Sequence, residues 1–221
     1  MEKTLAIVVF GATGNIGSKI LIEALTRDLQ VTAVSTGRSD PEPRQNLTVV
    51  RGDIQVEAEV AKIASGHEAV ISAFSPGLSR FPPEHAAVLI DSAHRSLLAG
   101  VKRSEVKRLI IVGGVGSLEA SPGIDVVDSD FYPKEHRPHT LRNREILRGL
   151  RRDEHELEWT YASPPLHIGP GLRTQKFRLG ENHLLRDAAG ESRISEEDFA
   201  VAILDELASR RFVRQRFTAA Y

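Results

Sequence analysis

The chain has 221 residues, of which 41% are hydrophobic, and its 29 lysines and arginines nearly balance its 30 aspartates and glutamates. This length and apolar fraction are enough for one α/β domain with a substantial core. A net charge of −1 provides no field that would attract nucleic acid or an anionic membrane, so we expect a small-molecule partner. The lack of cysteine in the sequence excludes disulfides, thiolate metal sites and a cysteine nucleophile, and no metal site is predicted.

The N-terminal sequence, MEKTLAIVVFG, favours a buried strand over a secretion signal. Its apolar run ends at Gly11 after about seven residues, and no small-residue cleavage site follows. No stretch of the sequence approaches the ~18 apolar residues of a membrane span. We therefore expect a cytoplasmic protein, either a monomer or a homodimer.

Strand-like and helix-like segments alternate along the chain. Short apolar runs predict strands at 5–10, 31–36, 47–52, 68–75, 106–114 and 157–163. Apolar residues at helical spacing predict helices at 15–29, 56–64, 83–102 and 138–151. This alternation predicts an α/β fold, a right-handed, doubly wound parallel sheet of the Rossmann type.

The pattern changes after Pro164. Glycine and proline cluster in PPLHIGPGLRT, and two or three short strands are predicted in the segment that follows. Ser195 and Asp198 resemble a capping box at the start of a further helix, and VRQRFTAAY predicts a last short strand. We expect a single domain over residues 1–221, in which residues 164–221 form a small C-terminal portion on the substrate side.

Three glycines follow the first predicted strand in VVFGATGNIG. Gly11 suits a tight turn, Gly14 lets a phosphate approach the backbone, and Gly17 allows the next helix to pack closely on the sheet. Free backbone N–H groups at the positive end of that helix would stabilise a pyrophosphate. These groups are predicted to belong to Thr13, Gly14, Asn15 and Ile16. A tight strand–helix turn without a ligand is the alternative, but the flanking strand and helix favour a dinucleotide site.

The segment after the second strand favours NADP(H) as the cofactor. An NAD site usually places an acid about 20 residues after the glycines, and VTAVST contains none. Arg38 follows, and a guanidinium suits the 2′-phosphate of NADP(H). Arg38 could also be an ordinary solvated arginine. Asp40 lies slightly farther along, although the loop could bring it to the same place, so NAD(H) stays an alternative.

Asp53 follows the third predicted strand in RGDI. A side chain at that position could reach the adenine, and Ile54 could pack on the ring. The alternative role of Asp53 is an N-cap for the next helix.

The segments FGATGNIGSKI, GDI, AVISAFSPG, VKRLIIVGGVGSL, ELEWTYASPP and RISEEDFAVAILDEL together resemble one known family. They are similar to the atypical short-chain dehydrogenase/reductases, in particular the NAD(P)H-binding, NmrA-like branch that includes biliverdin reductase B and flavin reductase-like proteins. The similarity covers nearly the whole chain. It implies a Rossmann fold with NADP(H) across the first, fourth and fifth strands. It also implies that Ala73, Phe74 and Ser75 line the ribose on the nicotinamide side.

One departure from this family concerns the proton donor. Standard members of the superfamily use Tyr-x-x-x-Lys, in which the lysine lowers the pKa of the tyrosine. Four residues after Tyr132 and Tyr161 the sequence has His136 and Pro165, and Tyr221 is its last residue. Hydride transfer does not itself need that pair, because the cofactor supplies the hydride.

Four other residues are candidate acids or bases. Ser117 follows the fifth strand, Tyr132 lies in a polar loop, and His136 and His139 lie at the next helix, where a histidine titrating near neutrality could donate a proton. The alternatives are a turn-capping serine and exposed histidines. The basic run LRNREILRGLRR is interpreted as a solvated helix face.

Two function hypotheses follow. The first is an NADP(H)-binding oxidoreductase that reduces a small carbonyl, quinone or flavin-like acceptor by hydride transfer. The second is a non-catalytic NAD(P)H-binding redox sensor of the NmrA-like type, which the missing tyrosine–lysine pair favours. The same missing pair and the short C-terminal region disfavour an epimerase of the extended superfamily. No nucleic acid or membrane partner is expected.

Overall fold

The structure is a computed structural model that describes residues 4–37, 40–77 and 80–221. Its strands are β1 (Ala6–Phe10), β2 (Gln30–Ser35), β3 (Leu47–Arg51), β4 (Ala69–Ser72), β5 (Arg108–Val112), β6 (Glu119–Ser121), β7 (Ile124–Asp125), β8 (Glu158–Ser163), β9 (His167–Gly169), β10 (Arg178–Gly180), β11 (Arg193–Ser195) and β12 (Gln215–Ala220). Its helices are α1 (Asn15–Thr26), α2 (Glu57–Ala64), α3 (Pro83–Arg103), α4 (Arg137–Asp153) and α5 (Glu196–Ser209). Helix α1 ends before the predicted Leu29 because Asp28 takes a left-handed backbone conformation, with φ of 59°.

The central sheet has eight strands in the order β3-β2-β1-β4-β5-β8-β12-β10. All neighbouring pairs are parallel except β10 and β12. This order confirms the predicted doubly wound fold. The strand order reverses between β1 and β4, and ligands of open α/β sheets bind in the crevice at such a reversal, at the carboxyl ends of the strands.

Two helical layers bury the two faces of the sheet. On one face α1 packs against α5, and the shared core includes Ile20 of α1 and Phe199 of α5. On the other face α2, α3 and α4 pack side by side, with Val60, Leu97 and Leu150 in a second core. Within the ranges that the structure describes, no helix is long and apolar enough to span a membrane.

The C-terminal portion forms a small separate sheet and also contributes elements to the main layers. Strands β9 and β11 pair in a separate two-stranded sheet, whereas α5 and β12 complete the central layers. A buried ion pair fixes α5 to the sheet, since Arg108 Nη2 of β5 lies 2.7 Å from Glu206 Oε1. Thr160 of β8 also donates to Glu206 Oε1, at 3.0 Å.

The basic face of α4 is paired with acids. Arg144 contacts Asp125 at 3.2 Å, and Arg148 Nη1 lies 2.9 Å from Glu145 Oε1. The Arg148 side chain is 54% exposed, as expected for a solvated helix face, whereas the Arg144 side chain is only 14% exposed and departs from that interpretation. The expectation that nucleic acid is not a partner stays a prediction.

Candidate functional site

The turn between β1 and α1 is built for glycine at two positions. Gly11 has φ of +75°, and a Cβ on it would lie 2.6 Å from the carbonyl oxygen of Ala73. A Cβ on Gly17 would lie 2.0 Å from the carbonyl oxygen of Gly11. Both separations are far below van der Waals contact, so any side chain would force the turn apart. Gly17 therefore allows close packing, as predicted, but against the turn itself.

The N-terminus of α1 keeps backbone donors for a ligand. Gly14 is its N-cap, no side chain caps it, and its first turn holds no acid. Across the described part of the chain, the N–H groups of Thr13, Asn15 and Ile16 donate to no protein acceptor. Such donors at the positive end of a helix stabilise a phosphate.

The Gly14 N–H departs from the prediction. It donates to the carbonyl oxygen of Gly11 at 3.0 Å, so it closes the turn and is not free. The absence of a side chain at Gly14 still matters, because a Cβ there would be 3.3 Å from that carbonyl and otherwise open to the exposed surface where a phosphate would approach.

The end of β2 holds an ion pair that sequence reasoning missed. Arg38 lies outside the described residues. Asp40 folds back to β2, where the Ser35 hydroxyl donates to its Oδ1 at 2.6 Å. Arg51, the last residue of β3, donates from Nη2 to Asp40 Oδ2 at 2.6 Å. The Arg51 guanidinium and the Ser35 hydroxyl lower the pKa of the Asp40 carboxyl. The sequence signal that could have indicated this ion pair is Arg51, a charged residue at the end of an apolar strand.

Asp53 holds the turn that leads into α2. Its Oδ1 accepts the N–H of Gln55 at 2.9 Å, whereas the N-cap of α2 is Val56. Asp53 therefore does not cap α2. It closes the turn that precedes the helix instead. Asp53 and Arg51 also line a groove of about 800 Å³. Ile54 is only 7% exposed and lies in the second core, which leaves little of its surface for an adenine ring.

The segment after β4 lies directly beside the glycine turn. The Ala73 N–H donates to the carbonyl oxygen of Phe10 at 2.9 Å, and Ala73 contacts Gly11 through the close approach described above. Phe74 is half-buried against the second core, and Ser75 is exposed. Ala73 and the backbone of Phe74, two of the three residues that the family resemblance assigns to the ribose, are therefore adjacent to the glycine turn.

Ser117 has a structural partner. It lies in a short 3₁₀ turn after β5 and is 8% exposed. Arg216 of β12 donates from Nη1 to the Ser117 hydroxyl at 3.0 Å. Burial lowers the pKa of Arg216 to about 10. This contact favours the turn role of Ser117, whose hydroxyl is held by a buried guanidinium.

The other three candidate acids and bases meet at the start of α4. The Tyr132 hydroxyl lies 2.7 Å from Thr140 Oγ1, and burial raises the pKa of Tyr132. The rings of His136 and His139 are 5.7 Å apart. Burial, with a smaller contribution from His136, lowers the pKa of His139. His139 Nδ1 is buried without a partner among the residues described. These shifts make His139 and Tyr132 poorer proton donors near pH 7 than a free imidazolium or an activated phenol.

A second polar cluster lies beneath the ends of β4 and β5. Ser72, His94, Asn143 and Tyr161 line a small cavity of about 30 Å³. Burial lowers the pKa of His94 to about 4, and burial also raises the pKa of Tyr161, whose hydroxyl donates to the carbonyl oxygen of Asn143 at 3.0 Å. Sequence reasoning missed His94, although its spacing from Ile90 and Leu97 places it on the inward face of α3.

The loop after β9 is fastened to the helical layer of α1 and α5. Arg173 Nε donates to the buried Glu23 Oε2 of α1 at 2.7 Å, and this contact is the main cause of the lowered pKa of Glu23. The Gly171 N–H donates to Glu197 Oε2 at 2.8 Å, and the Gln175 N–H donates to Asp198 Oδ1 at 2.7 Å. Leu172, between these anchors, is 78% exposed.

Comparisons with known proteins agree with this geometry. A family model described as NAD(P)H-binding matches residues 11–210. The uncharacterized protein YwnB of Bacillus subtilis (strain 168) is 33% identical over 220 residues, which cover 97% of each chain.

Two solved structures extend the comparison. A Burkholderia pseudomallei protein, provisionally named as exported, is 38% identical with a TM-score of 0.88, and the match covers 99% of this chain and 100% of that one. A Streptococcus pneumoniae protein, provisionally named as an NADH-flavin reductase, is 25% identical with a TM-score of 0.78, and the match covers 98% of this chain and 99% of that one.

Proposed function

The chain belongs to the NAD(P)H-binding family, and from that premise we propose that it is an oxidoreductase that prefers NADPH and reduces a small carbonyl, quinone or flavin-like acceptor. The carrying observation is the end of α1, where the N–H groups of Thr13, Asn15 and Ile16 have no acceptor in the described chain. These donors fit the diphosphate of a dinucleotide, and the absence of a side chain at Gly14 leaves the approach to them open.

The chain's own residues bind and orient the cofactor. The α1 N-terminus holds the negative charge of the diphosphate, and Ala73, Phe74 and Ser75 line the adjoining ribose. When bound, the nicotinamide supplies the hydride. Strand β1 and helix α1 hold the glycine turn in place before the cofactor binds. Binding therefore loses little conformational entropy.

The preference for NADPH is supported by charge at the end of β2. Arg38 follows that strand in the sequence. The acid that could instead hold a ribose hydroxyl, Asp40, is already paired with Arg51. An NAD site would need that carboxylate to be available to the 2′-hydroxyl.

An acceptor that takes its proton from solvent suits this site. The pKa values of Tyr132 and Tyr161 are raised by burial, so neither replaces the tyrosine of Tyr-x-x-x-Lys. Flavins and quinones need no enzyme-bound acid of that strength after hydride transfer. The provisional name of the Streptococcus pneumoniae relative mentions a flavin as well.

The test starts with cofactor binding. Titration with NADPH and with NADH, followed by thermal unfolding, should show a larger rise in Tm with NADPH. A ligand at 100 times its Kd stabilises the folded state by about 2.7 kcal/mol. NADPH oxidation is then followed with FMN, a quinone and an aldehyde. If neither cofactor shifts Tm, the proposed function is wrong.

A redox sensor is the second candidate, because no tyrosine of suitable acidity is present among the described residues of the site. A sensor binds NADPH but consumes none with any acceptor. Turnover with at least one acceptor class decides in favour of the reductase.

The predicted cytoplasmic location stays part of this proposal. Fractionation of cells that express the protein with its own N-terminus tests it.

A further inference from the structure

The Asp40–Arg51 pair is a preformed guanidinium site. Arg51 uses its two terminal nitrogens, because Nη1 and Nη2 donate to the two oxygens of Asp40. Nη1 also donates to the Ser35 hydroxyl at 3.0 Å. A planar guanidinium held at both terminal nitrogens has one orientation. Asp40 and Ser35 therefore fix where the remaining donors of Arg51 lie.

One edge of the Arg51 guanidinium stays available. The Nε–H and the second hydrogen of Nη2 have no acceptor among the residues that the structure places. The Arg51 side chain is 60% exposed, so this edge reaches solvent. Two parallel N–H groups on one edge of arginine match two oxygens of a phosphate.

Glycine at position 37 makes room for the guanidinium. A Cβ there would lie 3.2 Å from Arg51 Nη1 and 3.3 Å from Arg51 Cζ, and the residue has φ of +88°. The Gly37 N–H also donates to the Ser35 hydroxyl at 3.0 Å. Ser35 and Gly37 thus lie close against the charge of Arg51.

Arg51 projects on the same side of the sheet as the phosphate cradle. Leu47 packs in the core that α1 covers and Val50 packs in the opposite core, so the alternation along β3 places Arg51 on the α1 side. The ends of β1, β2 and β3 are consecutive in the sheet. The glycine turn, Ser35 and Arg51 consequently follow one another along the carboxyl edge.

We propose that the free edge of Arg51 binds the 2′-phosphate of NADP(H) and that Asp40 is the positioning residue that orients it. This inference rests on the proposed function, because it assumes that a dinucleotide lies on the α1 N-terminus. The carboxylate of Asp40 does not block the phosphate, since both of its oxygens are occupied on a different edge of the guanidinium. The Asp40–Arg51 pair thereby favours NADP(H) over NAD(H).

The first experiment compares Arg51→Gln with Arg44→Gln, which removes the same charge from the loop that precedes β3. Calorimetric titrations use NADPH, NADH, adenosine 2′,5′-bisphosphate and adenosine 5′-monophosphate. Arg51→Gln is expected to weaken the two 2′-phosphorylated ligands by about 10- to 100-fold, as the loss of charge-assisted hydrogen bonds predicts. NADH and adenosine 5′-monophosphate should change by less than about twofold, as should all four ligands with Arg44→Gln.

The outcomes separate the two proposals. An equal loss for phosphorylated and unphosphorylated ligands, or no loss for either, overturns the role of Arg51. If the wild-type protein binds none of the four ligands, the proposed function itself fails. Unfolding of each variant without ligand confirms that the fold is intact.

Asp40→Asn tests the positioning role. An amide keeps the shape of the side chain but holds the guanidinium less firmly, so binding of adenosine 2′,5′-bisphosphate should weaken by about 3- to 10-fold while adenosine 5′-monophosphate is unaffected. Arg51→Lys should recover only part of the affinity that Arg51→Gln loses, because lysine has no fork. Tighter binding of the bisphosphate by Asp40→Asn would show that Asp40 competes with the phosphate, which overturns its positioning role.

Discussion

Helices α1 and α5 pack against each other on one face of the sheet, yet their N-termini are treated in opposite ways. At α5 the Ser195 hydroxyl accepts the Asp198 N–H at 3.0 Å, and the first turn holds three acids. At α1 no side chain caps the end, and the first turn holds no acid. A helix end that its own side chains satisfy offers few donors to an anion, whereas an open end exposes N–H groups that a phosphate can use.

The largest change is expected at the other end of α5, where Glu206 meets Arg108. Glu206→Ala leaves a guanidinium buried without its partner, and the free energy of unfolding should fall by about 3–5 kcal/mol. Urea unfolding measures the loss. A double variant with Arg108→Met should regain part of the stability, and an unchanged midpoint in Glu206→Ala would contradict the structural role of α5.

Gly11→Ala should disrupt the turn that leads into α1. The methyl group meets the Ala73 carbonyl and sits at a left-handed backbone position, so we expect a loss of about 2–4 kcal/mol in unfolding free energy together with loss of NADPH binding. Urea unfolding and calorimetry give the two values. Full stability in this variant would show that the turn is looser than its contacts indicate.

Gly14→Ala should separate binding from folding at α1. Its methyl group has only the Gly11 carbonyl nearby, at 3.3 Å, so the unfolding free energy should change by less than about 1 kcal/mol. The same methyl group obstructs the approach of a phosphate, and NADPH affinity should fall by about tenfold or more. Wild-type affinity in this variant would place the phosphate elsewhere.

Ser195→Ala is the matched change at α5, and we expect it to affect stability but not binding. The variant loses the cap and also the bonds of the Ser195 hydroxyl to the Leu172 carbonyl at 2.8 Å and the Tyr221 hydroxyl at 2.9 Å. The unfolding free energy should therefore fall by about 1–2 kcal/mol, with the Kd for NADPH unchanged. A large effect on NADPH affinity would show that both helix N-termini contribute to cofactor binding. The distinction drawn between α1 and α5 would then be wrong.

Most of the fold could be predicted from sequence because the period of the apolar residues reports the buried faces directly. The strand–helix alternation and the three glycines were sufficient for the doubly wound sheet and its crevice. The direction of a single amide was beyond such reasoning, and the Gly14 N–H is the example, since it depends on how the turn closes.

The parts of the site that were missed depend on contacts between distant segments. Asp40 reaches Arg51 across a loop whose path has no periodic signal. In the sequence, His94 is one polar residue of a long helix. Its position beside Asn143 depends on the packing of α3 against α4, which the sequence pattern does not reveal. Ser117 received a catalytic hypothesis because its partner, Arg216, comes from the far end of the chain.

The fastened loop after β9 has a practical consequence for engineering. Its anchors at Gly171, Arg173 and Gln175 fall on both sides of Leu172, and each anchor uses a partner on α1 or α5. Position 172 can therefore be randomised while the loop backbone keeps its course. A saturation library at that residue would alter an exposed surface while the loop backbone stays anchored, which makes it a natural starting point for directed evolution.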